Sequence, residues 1–166
     1  HDIDTVYMIP ELLRGAGLDL AVLDILKLTD RADIEAENKA RKTWNAYTER
    51  FKSVSGQVTI GITGKYTSLR DSYASIIHAL EHAGTTNGVR VRIDWIDTSE
   101  LTDDNVADAL KHVQGIIVPG GFGVRGAEGK ITSIRYAREH GLPFLGICYG
   151  FQMAVIEFAR NVCNME

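Results

Sequence analysis

Cysteine is scarce in this chain, with only Cys148 and Cys163 among 166 residues. Two thiols are too few for a disulfide scaffold, which excludes a small fold stapled by bridges. Long hydrophobic runs are lacking too, since no apolar stretch approaches the roughly 20 residues of a membrane-spanning helix. Positive charge is not in excess: 18 Lys and Arg stand against 22 Asp and Glu, for a net charge of −4. A broad cationic face for nucleic acid or a membrane surface is therefore not expected. No Walker-type phosphate loop, internal repeat or low-complexity stretch occurs. Neither an initiator Met nor the basic start and apolar core of a signal peptide opens the chain. Beginning at His1 in an already apolar segment, the sequence reads as a piece cut from a longer chain. Its two thiols fit a cytoplasmic setting.

What is present is a globular balance of 45% hydrophobic and 24% charged residues. Residues 1 to about 28 mix apolar side chains with the turn signals Pro10, Gly15 and Gly17, too short a stretch to own a core. Residues 30–52 are rich in charge and in good helix formers. Asp30 is placed as an N-cap with Asp33 in the first turn, and Trp44, Tyr47 and Phe51 share one helical face. From Val58 the punctuation becomes regular. VTIGIT, VRVRIDWID, GIIV and PFLGIC read as strands. Between them, a helix with the Ser68–Asp71 capping spacing ends at Gly84, a second runs from Thr102 to about Val113, and a third covers Ala127–His140. A final helix covers about Tyr149 to Asn161. Alternating strand and helix predict an α/β domain with a doubly wound, mainly parallel sheet, preceded by a helical linker segment.

Ligands of such sheets bind beyond the carboxyl ends of the strands, and two of those ends carry unusual residues. Pro119-Gly120-Gly121-Phe122-Gly123 leaves backbone N–H groups uncovered and suits an anion or oxyanion, although glycine turns are also common connectors. Gly146-Ile147-Cys148-Tyr149-Gly150-Phe151-Gln152 sets a cysteine between a strand and a helix, with glycines on both sides. That is the pattern of a nucleophile elbow. The helix start favours a thiolate, and the Tyr149 N–H can point at an oxyanion formed on a carbonyl attacked by Cys148. The alternative is a small buried cysteine ending a core strand.

GICYGFQ resembles the G-x-C-x-G-x-Q nucleophile motif of class I glutamine amidotransferases, and PGGFG resembles their oxyanion strand. IGITGKYTSLRDSYASIIHAL, PGGFGVRGAEGKI and AVIEFARNV are similar to the CTP synthase family, and HDIDTVYMIPELLRGAGLD resembles the end of that family's synthetase domain. The resemblance implies three parts: 1–28 as the tail of an amidoligase domain, 29–56 as a helical linker, and 57–166 as the first half of a flavodoxin-like amidotransferase domain. It implies Cys148 as the glutaminase nucleophile. Gly120, Gly121, Tyr149, Gly150, Phe151 and Gln152 would bind L-glutamine or its oxyanion. Phe122 and Arg125 fall where GTP binds as activator, and Ile3 where a backbone group contacts ATP. Glu128 and Lys130 belong to the same region with no role assigned. The whole enzyme would use ATP, Mg²⁺ and glutamine-derived ammonia to convert UTP to CTP, as a homotetramer. Tyr149 and Phe151 replace a leucine and a methionine common in the motif, without altering the backbone chemistry.

A cysteine nucleophile needs a base. The family's His and Glu come from a motif beyond Glu166, so the chain alone is expected to be inactive. His78 and His82 have i, i+4 spacing but lack the order of a zinc protease motif, and read as an exposed helix face. His140 suits the end of its helix. Cys163 reads as structural or incidental. Two other classes remain. A different cysteine-elbow hydrolase would lack the Gln152 position and carry an acidic residue near the thiol. A non-catalytic nucleotide-binding module would bind through PGGFG independently of Cys148.

Overall fold

A computed structural model describes residues 3, 5–64, 70–121 and 123–165. The chain divides into two compact units, His1–Val54 and Ser55–Glu166. In the first, α1 (Ile9–Gly15) and α2 (Leu18–Ile25) precede the long α3 (Ile34–Ser53). Asp33, not Asp30, caps α3: its carboxylate accepts from the Ala36 N–H at 2.9 Å, while Asp30 lies in a separate 3₁₀ turn, Thr29–Arg31. An Asp three residues ahead of the N–H it accepts from is the closer match to cap geometry. Trp44 and Tyr47 do share a face, tilted against each other, and both pack edge-on against Tyr7, whose carbonyl accepts from the Trp44 indole at 2.8 Å.

The second unit alternates β1 (Gly56–Gly64), α4 (Ala74–Asn87), β2 (Val89–Asp97), α5 (Val106–Leu110), β3 (Gly115–Val118), α6 (Ala127–His140), β4 (Phe144–Gly146) and α7 (Tyr149–Asn161). All four strands are parallel, in the order β2-β1-β3-β4. Side-chain parity covers the two faces of the sheet. Val91, Ile93 and Trp95 lie beside Ile77 and Leu80 of α4. Ile96, of opposite parity, joins Val106, Leu110, Ile116, Ile131 and Ile134 in the main core with α5 and α6. Helices on both faces make this the doubly wound α/β fold that the alternation predicts, and strand order reverses between β1 and β3.

Two helix ends differ from expectation. Gly84 does not end α4, which continues to Asn87 and stops at Gly88 with φ +70°. Gly84 is buried where a β-carbon would lie 2.6 Å from the Val89 carbonyl oxygen, so its glycine serves helix-on-strand packing. The Ser68 half of the proposed capping box lies outside the described residues. The helix expected from Thr102 starts later, at Val106, because Thr102 and Asn105 close a turn on each other: the Thr102 N–H donates to Asn105 Oδ1 at 2.8 Å.

Between α6 and α7 lies an ion pair with a buried carboxylate, in addition to the exposed pair of Glu128 with Arg160. Glu157 is 1% exposed, and Arg138 donates to it from Nε and from Nη2, the latter at 2.8 Å. Those bonds raise the Arg138 pKa further above its already high ordinary value, so the guanidinium is charged at any working pH. Among the described residues, no helix is long and apolar enough to cross a membrane, and no group of three metal-ligating side chains converges.

Candidate functional site

β4 ends at Gly146 and α7 begins at Tyr149, so the chain must reverse within two residues. It does so through a turn in which the Gly150 N–H donates to the Ile147 carbonyl at 2.9 Å. Cys148 holds the first corner with φ +51° and ψ −108°, values near those of a type II′ turn, where glycine is normally required. A side chain held there costs roughly 1–3 kcal/mol, as is usual for residues whose strain serves a site. The flanking glycines are steric necessities. At Gly150 a β-carbon would lie 1.9 Å from the Val118 carbonyl oxygen, and at Gly146 2.8 Å from the Phe151 nitrogen.

The thiol of Cys148 is exposed and makes no cap bond to its helix, so it is not the small buried cysteine of the alternative reading. Tyr149 is the first residue of α7, and its N–H has no helical carbonyl to pair with. Gly120, just past the end of β3, packs directly on the elbow. A β-carbon on it would lie 3.6 Å from Cys148 Cβ and 4.0 Å from Sγ. Gly121 has φ +157°, which side chains rarely adopt. The two strand ends singled out in the sequence thus meet, because β3 and β4 are adjacent and parallel and so end on the same side of the sheet. Gly150 is buried within the elbow, whereas Phe151 and Gln152 are exposed on the first turn of α7.

Not every expected residue joins this group. Phe122 lies outside the described residues. Arg125 is exposed in the turn before α6. Ile3 belongs to the other unit, where it is 41% exposed. His78 pairs with Glu81 at 3.0 Å and His82 is exposed, so the two form a helix surface. His140 stacks on Tyr136 and bonds its carbonyl from the last turn of α6, as expected of a helix end. His112 forms a 2.7 Å pair with Asp94, a His–Asp dyad by distance. It precedes β3, however, while Cys148 follows β4, so dyad and thiol lie at opposite ends of a parallel sheet. Cys163 is exposed beyond the end of α7.

Three contacts were not foreseen. The buried Lys130 donates to the Pro119 carbonyl at 2.9 Å and sits 5.3 Å from the centroid of the Tyr149 ring. Tyr149 donates its hydroxyl to the Gly123 carbonyl at 3.3 Å. A lone lysine in a helical stretch normally lies on the surface, and only the packing of α6 reveals otherwise.

Comparison with known proteins agrees with this geometry. Residues 68–166 match the model of the family described as glutamine amidotransferase class-I. Curated CTP synthases are similar throughout: that of Nitrobacter winogradskyi is 48% identical over all 166 residues, and that of Clostridium acetobutylicum 47% over 165. This chain spans 30% of the length of either relative. Among solved structures, the glutaminase domain of Trypanosoma brucei CTPS with bound acivicin superposes with a TM-score of 0.59 at 40% identity. That match covers 63% of this chain and 41% of the trypanosomal one. With an exposed cysteine on a strained elbow, set against a glycine strand at the carboxyl ends of a parallel sheet, this chain belongs to the class I glutamine amidotransferases.

Proposed function

We propose that the chain carries the nucleophile half of the glutaminase site of a CTP synthase. One observation carries this reading: Cys148 is exposed on a corner at φ +51°, packed against Gly120 of the facing glycine strand. The sulfur attacks the side-chain carbonyl carbon of glutamine, forming an S–C bond and a tetrahedral oxyanion. The N–H groups of Gly121 and Tyr149 stabilise that oxyanion, and Gln152 with the 149–151 backbone holds the substrate. Protonation and departure of the amide nitrogen release ammonia and leave a γ-glutamyl thioester, which water hydrolyses to glutamate. The thiol proton needs a base that passes it to the leaving nitrogen. In this reading the family's His and Glu, which lie outside these 166 residues, supply that base, and glutamine hydrolysis by the chain alone is slow or absent.

In the same reading the ammonia aminates UTP activated by ATP and Mg²⁺ on a synthetase domain, in a cytoplasmic homotetramer. Residues 1–28 and 29–56 are the tail of that domain and its linker. Phe122 and Arg125 receive GTP, and Ile3 offers a backbone contact to ATP. The test is covalent labelling with acivicin, a glutamine analogue whose chlorinated ring carbon is open to a thiol. Expected is one adduct on Cys148, with Cys163 spared and excess glutamine protecting. Equal labelling of both cysteines, or labelling indifferent to glutamine, would refute the glutaminase reading. Ammonia release by the 166-residue chain, abolished by Cys148→Ala, would overturn its predicted inactivity.

A further inference from the structure

Lys130 is 5% exposed in the first turn of α6. Both features are unfavourable. Burying an ammonium costs several kcal/mol unless it is well paired, and the positive end of a helix repels a cation. Three of its close approaches fall at one place. Lys130 Nζ donates to the Pro119 carbonyl at 2.9 Å, lies over the Tyr149 ring at 5.3 Å, and stands 3.7 Å from where a β-carbon of Gly121 would be. Cys148 touches the same dipeptide at Gly120. The ammonium and the thiol therefore flank one Gly-Gly segment.

A glycine pair has no side chains to hold its peptide planes, and Gly121 already occupies a conformation that only glycine visits readily. A trans peptide carries its C=O and N–H on opposite sides. Fixing the Pro119 carbonyl toward Lys130 consequently turns the Gly120 N–H to the other side and sets the plane from which the Gly120–Gly121 amide continues. The same ammonium seats the ring of Tyr149, the first residue of α7, so one cation touches the supports of both backbone donors.

We propose that Lys130 is the positioning residue of the oxyanion site, its ammonium holding the Pro119–Gly121 strand and the first turn of α7 in register about Cys148. The proposal rests on the glutaminase reading and assigns a function to a residue outside the nucleophile motif. It separates from a structural role because two reagents ask different things of the same thiol. Acivicin is attacked at a C=N carbon, with the S–C bond forming, charge developing on the ring nitrogen and chloride leaving, so it uses the oxyanion donors. Iodoacetamide is displaced at a saturated carbon and uses none.

In the full-length gene product, Lys130→Met is expected to slow acivicin labelling of Cys148 by about 10- to 100-fold, below the loss from deleting a donor outright. Iodoacetamide alkylation of Cys148 stays within about two-fold, and Lys130→Arg, which can still donate to the carbonyl, recovers most of the acivicin rate. Unchanged acivicin labelling, or an equal fall with both reagents, overturns the proposal. Wild-type protein alkylated by iodoacetamide but not by acivicin would instead sink the glutaminase reading and the proposal with it. Should Lys130→Met fail to melt cooperatively, Tyr149→Leu decides. It removes the ring beneath the ammonium but keeps the backbone N–H, and an unchanged ratio of the two rates overturns the proposal.

Discussion

The α-carbon of Gly150 approaches the carbonyl of Val118 so closely that a β-carbon there would lie 1.9 Å from the oxygen. The first turn of α7 is thereby pressed onto the end of β3, and Cys148 is brought to the glycine strand that follows it. The contact is backbone against backbone, so no side chain can yield to relieve an intruding methyl.

Gly150→Ala is accordingly expected to destabilise the fold by about 3 kcal/mol or more. Gly141→Ala supplies the control: Gly141 caps α6 at φ +66° with open space around it, and only the left-handed conformation is penalised, by about 1 kcal/mol. Urea unfolding of the two variants should show that difference in midpoint. Equal losses would mean that α7 does not sit on β3 as described.

Strain at Cys148 has an opposite sign. Glycine accepts φ +51° and ψ −108° without penalty, whereas alanine keeps the β-carbon that makes it costly. Cys148→Gly is expected to be more stable than Cys148→Ala by about 1 kcal/mol, after allowing for the chain entropy of glycine. A thermal melt ranking Ala above Gly would show that the corner is unstrained.

Arg138→Met leaves the Glu157 carboxylate buried and, among the described residues, with only the Asn161 amide, at 3.2 Å, still donating to it. It should lower the melting temperature, and the paired change Arg138→Met with Glu157→Met should recover part of that loss by removing the stranded charge. Because Arg138 is held charged by its bonds to Glu157, protonation of Arg138 does not vary across the accessible range and adds no pH dependence of its own. A double variant less stable than Arg138→Met would contradict the account.

β4 is an edge strand of the described sheet, and Leu145, Val155 and Phe158 are each half exposed or more on β4 and α7. An uncovered edge beside apolar side chains invites association. The 166-residue chain should therefore sediment with a concentration-dependent mass, reduced by Val155→Glu with Phe158→Glu. Concentration-independent monomers before substitution would show that this face does not drive association.

Much of this was legible in order along the chain. Alternating apolar runs and glycine-bounded helices specify a parallel α/β sheet because period and punctuation are local properties. The ends of α6 and α7 fall where His140, Gly141 and Asn161 suggested. Elbow glycines beside a cysteine mark a sharp turn whatever lies around them. Boundaries went astray where a residue's reason was not local: Gly84 reads as a stop, yet it is a close approach between α4 and β2, visible only once Val89 and Val91 are opposite it.

The sequence by itself determined the fold class, the elbow and the identity of the nucleophile candidate, because each depends on neighbours a few residues apart. Tertiary structure alone decided which residues converge on the thiol. It set Gly120 against Cys148, put the His112–Asp94 pair at the wrong end of the sheet, and buried Lys130 beneath the glycine strand. Burial and convergence arise from strand order and helix packing across long stretches of chain, and no pattern around residue 130 distinguishes a solvated lysine from one closed over by a helix and a strand.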